Sequence, residues 1–140
     1  MAALAQDGSQ GGREAAAPAA GQGRTAAPKG AEAYFHYPVD RIRVPQRFTV
    51  QLGLRGMGIA PAGVAKALTG HHHLLIDADK VDVDQPIPSD YNHIHLGNGQ
   101  TEVVLTLTPG THTLQLLMGD HAHIPHVPPI MSKKITIYVR

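Results

Sequence analysis

The chain has no cysteine and no tryptophan, and among its 140 residues there are two Phe and four Tyr. Without cysteine there can be no disulfide, no thiolate metal site and no Cys nucleophile. A strong metal ligand must then be imidazole, carboxylate or thioether. Excess charge is also missing: 12 Lys and Arg against 11 Asp and Glu leave a formal +1. So even a balance gives no bulk attraction for nucleic-acid phosphates or for an anionic membrane surface. No stretch reaches the roughly 18 consecutive apolar residues of a membrane-spanning helix. There is no G-x-S-x-G elbow and no H-E-x-x-H helix, which makes an enzyme the weakest reading of this chain. Its one conceivable form is a three-His zinc site with an open position, with Glu102 or Asp120 as general base.

What the chain does have is histidine. There are ten, far more than average usage allows a rare residue, and all lie between His36 and His126. Residues 1–33 are mostly Ala, Gly, Gln and Pro, with a single Leu and no Val, Ile or aromatic. Such a segment cannot bury enough apolar surface to offset its ordering entropy, and it reads as a disordered tether. Ala3-Leu4-Ala5 before Gln6 has the small-x-small form of a secretory signal end. This predicts an exported protein, periplasmic or secreted, with a truncated signal peptide and its mature start near Gln6.

From Tyr34 to Arg140 the composition is that of one folded domain, long enough for a single core. Its period is two. Phe48, Val50, Leu52 and Leu54 alternate with Thr49, Gln51, Gly53 and Arg55, as in a strand with one face buried. Val103, Leu105 and Leu107 do the same, and so do Ile135, Ile137 and Val139. The runs His71 to Asp77 and His112 to Met118 are apolar and of strand length. Gly97-Asn98-Gly99, Pro109-Gly110, Gly119-Asp120 and Pro125 to Pro129 are turn signals. Helical character is confined to Gly63–Leu68. About seven short strands with no long helix predict an all-β fold, an immunoglobulin-like antiparallel β-sandwich with a disordered N-terminal tail.

The histidines fall in groups: His71-His72-His73, His93-x-His95, His112, and His121-x-His123-x-x-His126. On an extended strand, residues i and i+2 share a face about 7 Å apart. His71 with His73, and His93 with His95, are therefore potential two-imidazole claws. Counting by twos puts His72 with Leu74 and Ile76, and His112 with Leu114, Leu116 and Met118. These two read as core-edge histidines hydrogen-bonded to backbone. The last group sits in a Pro-rich loop, where ligands often project from a scaffold. Its better candidates are His123 and His126, with Pro125 stiffening the link. The predicted metal ligands are thus His71, His73, His93, His95, His123 and His126. Imidazoles, with Asp77 or Asp120 as helpers, suit copper first, with zinc or nickel as alternatives. Met57 in its Gly-Met-Gly turn could add a thioether, although filling a gap over one sandwich end is its plainer role.

Several segments, GMGIAPAG (56–63), GHHHLLID (70–77), HIHLGNGQTE (93–102), PGTHTLQLLMGDHAHIPHVPP (109–129) and the closing ITIYV, resemble a bacterial family of secreted or periplasmic proteins. The family is known as a domain of unknown function, number four-three-nine-nine. The resemblance runs from about Tyr34 to Arg140. It implies export as a short single-domain protein. Its triple His is matched by His71, His72 and His73, and its HxH by His93 and His95. Its Gly-x-His-Thr-Leu is matched at His112, and its late Asp-x-x-His-x-Pro-His-x-Pro-Pro by Asp120, His123, Pro125, His126, Pro128 and Pro129. His36 and His121 fall outside the pattern and read as incidental. Leu96 stands where an aromatic is expected. The family brings no activity with it.

The leading reading is a periplasmic protein that binds a transition-metal ion. The alternative is a non-catalytic module of the cell envelope, with a protein partner there and purely structural histidines. A pH sensor shares the same residues, because protons and metals compete for the same nitrogens.

Overall fold

In the computed structural model the described residues are 24–140. The alternating segments form strands: β1 (Glu32–Tyr37), β2 (Arg43–Val44), β3 (Arg47–Arg55), β4 (Gly58–Ile59), β5 (Thr69–Ile76), β6 (His93–His95), β7 (Glu102–Thr106), β8 (Gly110–Gly119) and β9 (Ile135–Val139). They build two sheets. One is β1-β3-β7, antiparallel throughout; the other runs β2-β9-β8-β5-β4, with β6 also paired to β5. Two very short pairs, β2 with β9 and β4 with β5, are parallel, so the expected all-antiparallel arrangement of about seven strands gains two parallel stubs at the edges. Among the described residues there is no helix. Gly63–Leu68 forms turns, with Gly63 at φ 85°.

Alternation puts the core between the sheets. Phe48, Val50, Leu52 and Leu105 from the smaller sheet meet Leu74, Ile76, Leu114, Leu116, Met118, Ile137 and Val139 from the larger one. Each such side chain, fully buried, contributes roughly 1.5–3 kcal/mol.

Strand β5 departs from this pattern, because every residue from Gly70 to Ile76 is buried. Its two faces meet different layers. Leu74 and Ile76 face the intersheet core, whereas Leu75 packs on the other side with Leu117 and Ile87, joined by Ala78, Val81 and Met131. The loops 77–92 and 120–131 thus form a third layer over the outer face of the larger sheet. By strand parity His71 and His73 belong to that outer face and His72 to the core.

The segment 24–33, placed in the tether by composition, is packed against the domain. Ala27 donates to Val127 O at 2.9 Å, and Val127 donates to Thr25 O at 2.9 Å. The Arg24 guanidinium, its side chain 2% exposed, donates to the Val83 and Pro125 carbonyls at 2.6 and 2.7 Å and to Asp84 Oδ1 at 2.8 Å. Residues 1–23, including the expected signal end and most of the tether, lie outside the described residues.

Candidate metal centre

Strand pairing brings the first three imidazoles together. In the antiparallel register of β5 with β6, His73 lies opposite His95 and Leu75 opposite His93. His71 precedes His73 by two residues on the same face. The fourth imidazole comes from the third layer. Asp120 is buried, and its Oδ1 accepts from the Ala122 and Ile124 amides at 2.8 and 3.0 Å, while its Oδ2 accepts from the Thr25 hydroxyl at 2.9 Å. That turn sets His123 at φ 64°, a left-handed conformation uncommon for a residue with a side chain. The His123 amide donates to the Asp120 carbonyl at 2.9 Å, and its carbonyl accepts from the Ile87 amide at 2.7 Å.

The result is a four-imidazole cluster. His71, His73, His95 and His123 each present one ring nitrogen, and these nitrogens lie within 4.8 Å of one another. His71 Nε2 is 3.2 Å from both His95 Nε2 and His123 Nδ1. A neutral imidazole nitrogen carries either a proton or a lone pair, so one nitrogen facing two others cannot make a full hydrogen bond to both. A cation at the centre accepts every lone pair at once.

The electrostatics favour the ligand form. Burial, followed by the charges of His123, His95, His72 and His126, lowers the His71 pKa to about 3. Burial and the neighbouring imidazoles hold His73 well below the ordinary histidine value, and burial lowers His95. His123 is lowered to about 4, by burial first and then by His95 and His121, with Asp120 opposing. All four rings are therefore neutral near pH 7, the state in which imidazole binds a metal. The rear Nδ1 atoms of His71 and His73 are buried without a hydrogen-bond partner. Packing, rather than an acceptor behind the ring, sets these two orientations.

Two glycines make room for the rings. A Cβ at Gly119 would lie 2.7 Å from His73 Cε1, and one at Gly97 would collide with the His95 ring. Sequence inspection reads both glycines as turn signals. The available hint was their position, one residue after Met118 in the strand register of His71 and two residues after His95.

The other predicted ligands go elsewhere. His93 sits two residue pairs further along β6 from the cluster, its Nδ1 2.7 Å from Asp90 Oδ1, and that hydrogen bond is the main cause holding the Asp90 carboxyl below its usual range. His126 is fully buried, with its Cε1 3.0 Å from where a Gly70 Cβ would stand. Neither residue joins the four-nitrogen group. His112 is fastened at both nitrogens, to Asp77 Oδ2 at 2.7 Å and to the Thr108 carbonyl at 2.8 Å. His72 is buried as expected, but both its ring nitrogens lack the backbone hydrogen bond predicted for it. His36 and His121 are exposed. Met57 packs against the intersheet core with its Cε 3.3 Å from the Gly70 Cβ position, the gap-filling role.

Residues 50–140 match the profile of the family described as Domain of unknown function (DUF4399). No curated protein and no solved structure matches the chain.

Proposed function

Since the chain belongs to the DUF4399 family, whose description names no activity, we propose its function from the site itself: it binds a transition-metal ion through His71, His73, His95 and His123. One observation carries this reading, the convergence of four ring nitrogens within 4.8 Å between the outer face of the larger sheet and the loop that carries His123. Buried polar groups normally find hydrogen-bond partners, and a cluster of neutral imidazoles that cannot satisfy one another is costly unless something else binds them. A structural module with incidental histidines has no need of such convergence. The two-sheet arrangement, read as an immunoglobulin-like sandwich, serves as the rigid frame. Export to the periplasm or beyond is part of the same proposal and rests on the family resemblance; cell fractionation tests it.

The binding test is calorimetry and thermal melting of tag-free, chelator-treated protein with Zn(II), Cu(II) and Ni(II). A ligand that binds the native state alone stabilises it by about 2.7 kcal/mol at one hundred times its Kd. The expected result is one ion per chain and a melting temperature that rises with metal. Replacing His71 and His95 together by Ala abolishes both effects, while His36→Ala leaves them intact. Absence of binding tighter than tens of micromolar for all three ions refutes the reading.

A further inference from the structure

The six ring-centroid separations within the cluster carry more than the presence of a site. They are 4.7 Å for His71–His73, 5.0 Å for His71–His95, 5.1 Å for His71–His123, 5.1 Å for His73–His95, 5.9 Å for His73–His123 and 4.5 Å for His95–His123. With metal–nitrogen bonds of about 2.05 Å, each ring centroid lies about 3.2 Å from the ion. Four imidazoles at the corners of a regular tetrahedron then have all six centroid separations near ~5.2 Å. A square plane needs four separations near ~4.5 Å and two, belonging to opposite pairs, near ~6.4 Å.

The cluster has no such pair of diagonals. Its longest separation, His73–His123 at 5.9 Å, is opposite His71–His95 at 5.0 Å, and the other two opposite pairs are no longer than 5.1 Å. Around His71 the nitrogens agree. The two contacts of 3.2 Å made by His71 Nε2 are close to the roughly 3.3 Å edge of a tetrahedron built with zinc–nitrogen bonds.

These ligands are not free to rearrange. His71 and His73 are fixed by β5 and are at most 1% exposed. His95 is held beside Gly97 and His73 above Gly119, and His123 by the Asp120 turn. Flattening the group into a plane requires moving a strand or breaking that turn.

Building on the metal-binding reading above, we infer that the four histidines form a preorganised tetrahedral cage selective for zinc over Cu(II) and Ni(II). Ligand softness alone puts copper first, because Cu(II) heads the affinity order for nitrogen donors. Geometry works against that order. Cu(II) and Ni(II) favour tetragonal or square-planar nitrogen sets, whereas Zn(II), with its filled d shell, has no such preference. With four protein ligands there is no position left for water, so the cage is of the structural or storage kind and not the hydrolytic kind.

Co(II) is the probe that reads geometry. Tetrahedral Co(II) absorbs strongly in the visible, while six-coordinate Co(II) absorbs weakly. The expected result is an intense visible spectrum at one Co(II) per chain, bleached by one equivalent of Zn(II). In an equimolar competition analysed by metal content, Zn(II) occupancy should exceed that of Ni(II) and that of Cu(II) by tenfold or more. Bound Co(II) with a weak six-coordinate spectrum overturns the tetrahedral inference while leaving metal binding in place. So does Ni(II) or Cu(II) occupancy equal to or above that of zinc. Failure of every ion to bind by calorimetry overturns the metal reading and this inference with it. His95→Ala, at a partly exposed position, should weaken the Co(II) absorption by severalfold and move its maximum, and an unchanged spectrum overturns the four-histidine cage.

Discussion

Gly119→Ala adds one methyl group where the histidine cluster rests on the sheet. The new Cβ would stand 2.7 Å from His73 Cε1, 3.1 Å from its Nδ1 and 3.3 Å from Ile87 Cδ1. Carbon atoms in good contact lie about 3.5–4.0 Å apart, so the overlap with the ring is close to an ångström. A lone side chain relieves such overlap by turning away. His73 cannot do so cheaply, because it is packed against His71 and His95 with ring centroids 4.7 and 5.1 Å away. If the ring yields, one ligand leaves the cage. If the backbone yields instead, the His71–Gly119 register and the Asp120 turn that follows it are disturbed. Overpacking of this kind costs typically about 1–3 kcal/mol. For a domain of this size that corresponds to a fall in melting temperature of roughly 4–15 °C. Metal should restore little of it, because the site itself is damaged. Thermal melts with and without Zn(II), beside calorimetric titration, measure both effects. Gly58→Ala is the control. Its Cβ would meet Thr69 Cγ2 at 3.5 Å, an ordinary contact, and its effect should stay within about 0.5 kcal/mol. A Gly119→Ala protein as stable as its parent, with the same zinc-induced shift, refutes the claim that this glycine makes space for a ligand.

Four further outcomes are expected. Metal-free protein should lose stability as pH falls from about 6.5 toward 4, because His71, His72, His73 and His123 have folded pKa values below their unfolded ones and the unfolded chain takes up more protons. Each such group contributes a slope of up to ~1.4 kcal/mol per pH unit in that window, measurable by urea denaturation at a series of pH values. His112 acts in the opposite sense. Burial opposes its charge, but the Asp77 hydrogen bond, the Thr108 carbonyl and the Asp77 charge together raise its pKa. Its contribution is complete below the unfolded value and disappears as pH rises through the folded one, so His112→Ala should destabilise more at pH 5.5 than at pH 8. His72→Leu should stabilise the protein by about 1–2 kcal/mol by removing a buried ring with no hydrogen-bond partner, without changing zinc affinity; an affinity loss would place His72 on the wrong face. Arg24→Ala should cost about 1–3 kcal/mol and weaken metal binding severalfold, since Arg24 ties residues 83–84 to Pro125 next to the His123 loop. Denaturation and titration of that variant read both numbers.

Period-two alternation made β3, β7 and β9 legible, and the same parity separated His71 and His73 from His72. Parity identifies a face but not a register. His93 and His95 share a face of β6, yet the pairing with β5 places His95 against His73 and His93 against Leu75, so one imidazole joins the cluster and the other pairs with Asp90. In the last group, spacing could not distinguish His123 from His126. The Asp120 turn and the left-handed φ of His123 aim one ring at the cluster, while the bridge between Gly119 and Pro125 carries the chain on and leaves His126 against Gly70. Composition failed at residues 24–33 for a different reason. That segment is held by backbone hydrogen bonds and one buried guanidinium, neither of which requires apolar side chains.

The four clustered histidines come from three separate parts of the chain: strand β5, strand β6 and the loop carrying His123. An ion held by all of them ties β5 to β6 across residues 73–95, and β6 to the third layer across residues 95–123. In the unfolded chain a permanent tie across a loop of either length is worth about 3–4 kcal/mol of lost chain entropy. A protein without cysteine has no sulfur cross-link available for that task. The four rings lie outside the intersheet core, so an ion there would lace the outer layer to the larger sheet rather than the two sheets to each other. Its lacing would then be reversible and governed by metal supply, where a disulfide would be governed by redox potential.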